Sequence, residues 1–82
     1  MMNIKVVGSG CPNCRKLEAL CNEVITEQQL NAEIEKVTDM NSFAELGVFM
    51  TPGLIVNDNV ISQGKIPAKS TLEHWLRDKV TE

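Results

Sequence analysis

The most reactive side chains in the sequence lie in one four-residue stretch, Cys11-Pro12-Asn13-Cys14, at a spacing that suits thiol chemistry. If a helix begins there, the two cysteines are one turn apart, within the roughly 4.4–6.8 Å Cα separation that a disulfide tolerates. With Cys11 as the N-cap, Pro12 takes the first helical position, where its missing N–H costs nothing and its fixed φ suits the helix. The unpaired amides of the first turn then point toward Cys11 and, with the positive end of the helix dipole, favour a thiolate over a thiol. A thiol of pKa about 8.5 is about 3% ionised at pH 7, and a pKa of about 7 raises that to about half. Nucleophilicity falls with pKa along a Brønsted slope of about 0.4–0.5, so the rate of attack gains only about threefold. The larger effect is on departure: Cys11 becomes a good leaving group, and a mixed disulfide at this sulfur is easily resolved. The stretch reads as a redox-active dithiol, with Gly8-Ser9-Gly10 as the turn that delivers it.

Two other chemistries use the same residue types. A pair of thiolates suits Cu(I), and a CxxC in the loop after a first strand resembles heavy-metal-binding domains, so a soft-metal carrier through Cys11 and Cys14 is the alternative. Those domains follow a βαββαβ order and carry a methionine near the first cysteine, where this chain has Ser9-Gly10. A structural zinc or iron–sulfur site needs four ligands. The remaining candidates are His74 and Cys21, and Cys21 lies about 10.5 Å along a helix axis from Cys14. Closure within one chain is not expected, and no metal or cofactor is assigned. Cys21 reads as a buried small hydrophobe.

Length and composition bound the answer. Eighty-two residues predict a single domain over 1–82 with a modest core. Hydrophobic content of 43% with 23% charge is that of a globular chain rather than a disordered one. The net charge of −3, without a basic block or interleaved aromatics, argues against nucleic acid as a partner. No run approaches the roughly 20 apolar residues of a membrane span, and no signal-like segment leads the chain. Three cysteines do not make a secreted disulfide framework. A cytoplasmic protein is expected.

The elements that must position the dithiol follow from periodicity. Ile4, Val6 and Val7 form a short apolar run in Met2 to Gly8, a central strand. From Pro12 to about Leu30, Cys14, Leu17, Cys21, Val24 and Ile25 recur on one face of an amphipathic helix that Asn31 stops. Ala32 to Thr38 alternates Ala32 and Ile34 against Glu33 and Glu35, an edge strand. Ser42 with Glu45 predicts a capping box and a short helix to Leu46, with Gly47 at its end. Leu54-Ile55-Val56 is apolar without alternation and is expected to be buried on both faces. Asn57-Asp58-Asn59 turns the chain into Val60-Ile61-Ser62, a hairpin partner. Ser70 with Glu73 predicts a second capping box, and Leu72, Trp75, Leu76 and Val80 form one stripe of a final helix, with a start near Pro67 as the alternative. The order is βαβαββα. A long helix between the first two strands implies parallel pairing and a right-handed crossover. A four-stranded mixed α/β sheet flanked by helices satisfies both constraints.

With the dithiol turn, Thr51-Pro52 before the buried strand, and Gly64-Lys65-Ile66-Pro67 late in the chain, the sequence resembles the thioredoxin/glutaredoxin superfamily over nearly its whole length. It is most similar there to the small thioredoxin-like redox-active disulfide proteins of bacteria and archaea. The resemblance implies a minimal thioredoxin-like fold and a thiol–disulfide oxidoreductase. It implies that Cys11 attacks, that Cys14 is the buried resolving thiol, that Gly10, Pro12 and Asn13 shape the turn, and that Pro52 is a cis-proline facing the dithiol. Thr51 would present backbone groups to an extended substrate segment. The partners implied are a disulfide-containing protein or small molecule and a regenerating reductase. The chain departs from thioredoxins in having Gly10 where they carry tryptophan, and from glutaredoxins in lacking their paired glycines and aspartate after Gly64.

The remaining side chains read as structural. Trp75 is a core anchor, His74 a solvated residue, and Arg15 and Lys16 a solvated helix face. Phe49 and Met50 are expected to fill the core, with an apolar rim for substrates as the alternative. A monomer is compatible with this pattern, as is a homodimer through the Ala32 to Thr38 edge or the Val48-Phe49-Met50 segment.

Overall fold

Seven elements follow in the order β1 (Met2–Val7), α1 (Pro12–Gln28), β2 (Ala32–Val37), α2 (Met40–Phe43), β3 (Gly53–Val56), β4 (Asn59–Gln63) and α3 (Lys69–Val80). The structure is a computed structural model and describes residues 2–80, with the backbone alone at Lys79 and Val80. The four strands form one sheet in the order β2-β1-β3-β4. Because α1 carries the chain back along the sheet, β2 runs parallel to β1, with Met2 opposite Ala32 and Val7 opposite Val37. β3 returns antiparallel against the other side of β1, with Ile4 opposite Val56. The β3–β4 hairpin turns through Asn57 and Asp58, both at positive φ (49° and 69°), where the short polar side chains tolerate left-handed backbone. This is the four-stranded mixed α/β sheet that the element order predicts, in the minimal thioredoxin-like form that the resemblance implies.

Two layers of side chains hold the sheet. On one face Met2, Ile4, Val6, Leu54 and Val56 pack against Leu17, Cys21 and Val24 of α1 and Leu72 and Leu76 of α3. On the other, Val7, Val48 and Ile55 pack under Val37, Phe43 and Leu46. All four residues of β3 are buried, as their continuous apolar run requires, while β2 alternates half-buried Ala32 and Ile34 with exposed Glu33 and Glu35. Each fully buried aliphatic side chain contributes about 1.5–3 kcal/mol relative to an exposed one. Trp75 is partly buried against the first layer. The last residue placed in that stripe, Val80, has its side chain outside the described residues. Lys69, at the start of α3, donates to Glu23 and Glu27 of α1, both at 2.7 Å, and ties the two helices together. His74 is exposed and faces Asp78 one turn on, at 3.4 Å.

Four local expectations are corrected. α1 ends at Gln28 with Gln29 in the left-handed conformation, its N–H returning to Ile25 and Thr26, so Gln29 and not Asn31 is the stop. α2 begins at Met40 because Asp39, three residues before Ser42, caps it by accepting from the Asn41 N–H. Ser42 then lies inside the helix, its hydroxyl 3.5 Å from Asp39. Ser70 likewise falls within α3, which starts one residue earlier. Phe49 and Met50 do not fill the core: they are 78% and 61% exposed, because the segment before β3 runs along the outside and sends only Val48 inward.

Candidate active site

β1 and α1 position the two sulfurs. β1 ends at Val7, the chain turns through Gly8, Ser9 and Gly10, and α1 starts at Pro12. Gly10 has φ +92°, a conformation that side chains rarely adopt, and an added Cβ there would meet nothing within 4 Å, so the glycine is required by the backbone alone. Cys11 is the N-cap, with extended φ −65° and ψ 161°, and Pro12 follows at the helix start. The Cys14 N–H donates to Cys11 Sγ at 3.2 Å, and the Arg15 N–H to the Cys11 carbonyl at 3.1 Å. An amide aimed at the sulfur stabilises negative charge on it. Cys11 and Cys14 are joined in a disulfide with a Cα–Cα separation of 5.1 Å. The two sulfurs are inequivalent toward solvent: Cys11 is half-buried, whereas Cys14 is only 5% exposed. Pro12, Asn13, Arg15 and Lys16 are all exposed around them.

The segment leading into β3 supplies the facing side. The Thr51–Pro52 peptide bond is cis, Pro52 is buried and Thr51 is exposed. Gly8 is where the two halves converge. A Cβ there would overlap Cys14 Sγ and lie 3.9 Å from the Thr51 Cβ, so the absence of a side chain lets the disulfide and the Thr51 loop approach the same strand end. The structure therefore brings together Gly8, Cys14 and Thr51, residues from the turn after β1, from α1 and from the segment before β3.

One contributor has no signal in the sequence. Gln63, the last residue of β4, accepts from the Phe49 N–H at 2.7 Å and the Met50 N–H at 3.2 Å through its side-chain oxygen. Its neighbour Gly64, at φ +76°, donates to the Pro52 carbonyl at 3.0 Å, and a Cβ there would stand 2.8 Å from the Met50 methyl. Residues 49–52 are thus pinned from the end of β4. The contacts span 13 and 14 residues of sequence and arise only from the hairpin register.

Cys21 is fully buried and free, and its thiol pKa is pushed up to about 12 by burial, with the Glu18 carboxylate adding in the same direction. It is a core side chain and no partner for the dithiol. Among the described residues, no group of three or more His, Cys, Asp or Glu side chains is placed to hold a metal ion, so the soft-metal reading has two thiols alone as its donors. The helix at the C-terminal end of the order also differs from the βαββαβ plan of the heavy-metal domains. No helix is long and apolar enough to cross a membrane among the described residues.

Comparison with known proteins shows the family of the chain. The family model described as a thioredoxin domain matches residues 2–77. A thioredoxin of Methanocaldococcus jannaschii is 38% identical over 77 residues, covering 94% of this chain and 88% of that protein. A thioredoxin of Methanothermobacter thermautotrophicus is 34% identical over 76 residues, covering 93% of this chain and 99% of the relative. A solved structure of thioredoxin-2, described as a component of malaria parasite protein secretion machinery, superposes with a TM-score of 0.71 over 95% of this chain and 82% of its own. At 13% identity, that last likeness concerns the fold.

Proposed function

The chain belongs to the thioredoxin domain family and is a thiol–disulfide oxidoreductase; from that premise we propose that Cys11 is the attacking thiolate and Cys14 the resolving thiol. In the reduced protein the Cys11 thiolate attacks one sulfur of a substrate disulfide, and the other substrate sulfur leaves with the electron pair. Cys14 then attacks Cys11 Sγ, the bond to the substrate breaks, and the substrate departs with both sulfurs reduced. The protein is left in the disulfide form until a reductase returns two electrons. The observation that carries the assignment is the inequivalence of the sulfurs: the helix N-cap with an amide donating to its sulfur is Cys11, and the nearly fully buried partner is Cys14.

The substrate is an extended segment carrying a disulfide. Thr51, exposed before cis-Pro52, offers backbone groups for strand addition, and Phe49 and Met50 supply apolar contacts beside it. Gly10, Pro12 and Asn13 form the exposed or backbone-determined rim of the dithiol turn.

Incubation with insulin and a dithiol donor tests the activity, and a Cys14→Ser variant tests the roles. Wild type is expected to precipitate the insulin chains, and the variant to accumulate a mixed disulfide through Cys11. A variant that forms no adduct, or one joined through another residue, overturns the assignment.

A further inference from the structure

The cations of this chain fall into two groups. Lys5 stands 3.8 Å from Asp58, Lys36 3.5 Å from Glu18, and Lys69 2.7 Å from Glu23 and Glu27 alike. Arg15, Lys16, Lys65 and Arg77 are exposed and have no such carboxylate among the described residues. Three of these four border the dithiol site. The Arg15 N–H donates to the Cys11 carbonyl, and Arg15 lines, with Gly10 and Cys14, a cavity of about 160 Å³ beside the turn. Lys16 lies one helical turn after Pro12, and so on the same side of α1 as that exposed proline. Lys65 comes from the other side: it follows Gly64, whose N–H donates to the Pro52 carbonyl and which sits against Met50.

The site between these cations carries no charge of its own. Segments 6–14, 46–57 and 59–64, which build it, contain no Asp, Glu, Lys, Arg or His. The carboxylates that adjoin them are engaged or set apart. Asp58 faces Lys5 at the hairpin, at the end of β3 away from Pro52, and Glu18 faces Lys36. Asp39 caps α2 through the Asn41 N–H, and Glu45 lies beyond Gly47 and the buried Val48. The whole chain is net −3, the opposite sign to this rim. At physiological ionic strength a charge acts over about 8 Å, whereas the molecule is 32 Å long, so a group docking at the dithiol meets the local rim rather than the total.

We propose that the segment taken up beside cis-Pro52 is acidic: carboxylates flanking its disulfide meet Arg15 and Lys16 on the α1 side and Lys65 on the β4 side, while an apolar side chain of the same segment rests on Phe49 and Met50. This names the substrate class of the dithiol site, and it rests on Cys11 being the attacking thiolate there. Phe49 and Met50, 78% and 61% exposed, are what make the site one for a peptide rather than for a simple anion. The cations select which segment arrives, and the apolar pair holds it. Exposed charges of this kind act chiefly on the rate of encounter and on discrimination between partners.

Two peptides test this, each with one internal disulfide and the same apolar residue beside it, one flanked by glutamates and the other by lysines. The second-order rate of the reduced protein with each is followed by acid quench, alkylation and mass. It is divided by the rate of the same peptide with the mercaptoethanol thiolate, which removes the effect of the flanking charges on the disulfide itself. At about 0.15 M salt the acidic peptide is expected to react about tenfold faster, the lower end of what electrostatic steering supplies. At about 1 M salt, where charges act over only about 3 Å, the two rates are expected to converge. Lys65→Glu is expected to slow the acidic peptide and to speed the basic one, opposite signs that a folding defect does not produce, and Lys65→Arg to match wild type. Equal rates for the two peptides at the lower salt, a preference for the basic one, or a Lys65→Glu change of the same sign for both overturns the proposal. Cys11→Ser is measured alongside. If it reduces the peptides as fast as wild type, the assignment of Cys11 is what fails, whichever peptide is preferred.

Discussion

Replacing Gly8 by alanine should raise the reduction potential of the dithiol. A methyl group at Gly8 would overlap Cys14 Sγ and approach the Cys14 Cβ to 3.1 Å. In the oxidised protein that sulfur is held by its bond to Cys11 and cannot rotate away. In the reduced protein the same sulfur is free to turn about its Cα–Cβ bond into the cavity of about 160 Å³ that it lines. The alanine therefore weighs on the oxidised form more than on the reduced one. Overpacking of this kind costs about 1–3 kcal/mol. If that whole cost falls on the oxidised form, a two-electron couple converts it at about 30 mV per 1.4 kcal/mol, a shift of about 20–65 mV toward more oxidising values. Equilibration in graded dithiol buffers, followed by alkylation and mass analysis, measures the potential. Thermal unfolding of the two forms closes the cycle, since the oxidised variant should lose more stability than the reduced one. A folded variant whose potential is unchanged or lower would refute the idea that Gly8 is kept bare for the sake of the disulfide.

Removing the Gln63 side-chain acceptor with Gln63→Leu strips the Phe49 and Met50 amides of their partner, at about 0.5–1.5 kcal/mol per hydrogen bond. KM for a protein disulfide should rise severalfold with kcat little changed, and a small aromatic disulfide should react as before; Gln63→Glu, which keeps an oxygen at that place, should behave like wild type. Cys21, with its thiol pKa near 12, should resist iodoacetamide in the folded oxidised protein at mildly alkaline pH and be labelled once after unfolding, as counted by mass. The Lys69 hydrogen bond, and then its charge, hold the Glu23 carboxyl below its ordinary pKa, and the same carboxylates raise that of Lys69. A lowered acid stabilises the fold above its unfolded pKa of about 4.3 and ceases to do so as pH falls through the folded value. The melting-temperature difference between wild type and Lys69→Met should accordingly be present at neutral pH and close in acid below about pH 4, while on the alkaline side it should persist past the ordinary lysine value of about 10.4.

The parts of this protein that were legible in the sequence are those whose cause is local. Pro12 after Cys11 fixes a helix start whatever surrounds it, and the β3 run Leu54-Ile55-Val56 has no polar side that could face water. The start of α2 was misplaced because two residues, Asp39 and Ser42, can each cap a helix, and the earlier one prevails by reaching the Asn41 amide. Phe49 and Met50 carry the composition of a core, but which way a loop presents its side chains depends on what lies beneath it. Here Val48 occupies that place, close to Gly53. The Gln63 contact was invisible for a related reason: nothing near Gln63 in the chain anticipates two amide donors delivered across a hairpin.

The central pairing of β1 with β3 has an implication for how the molecule could be taken apart. The sulfurs come from the first 14 residues and the cis-proline from residue 52, and between them lies α2, which buries none of its own residues. A chain severed in that helix would leave one fragment with the thiols and another with the platform opposite them. Neither piece would be competent by itself, and recovery of turnover on mixing would report, strand by strand, the reunion of the two halves of the sheet.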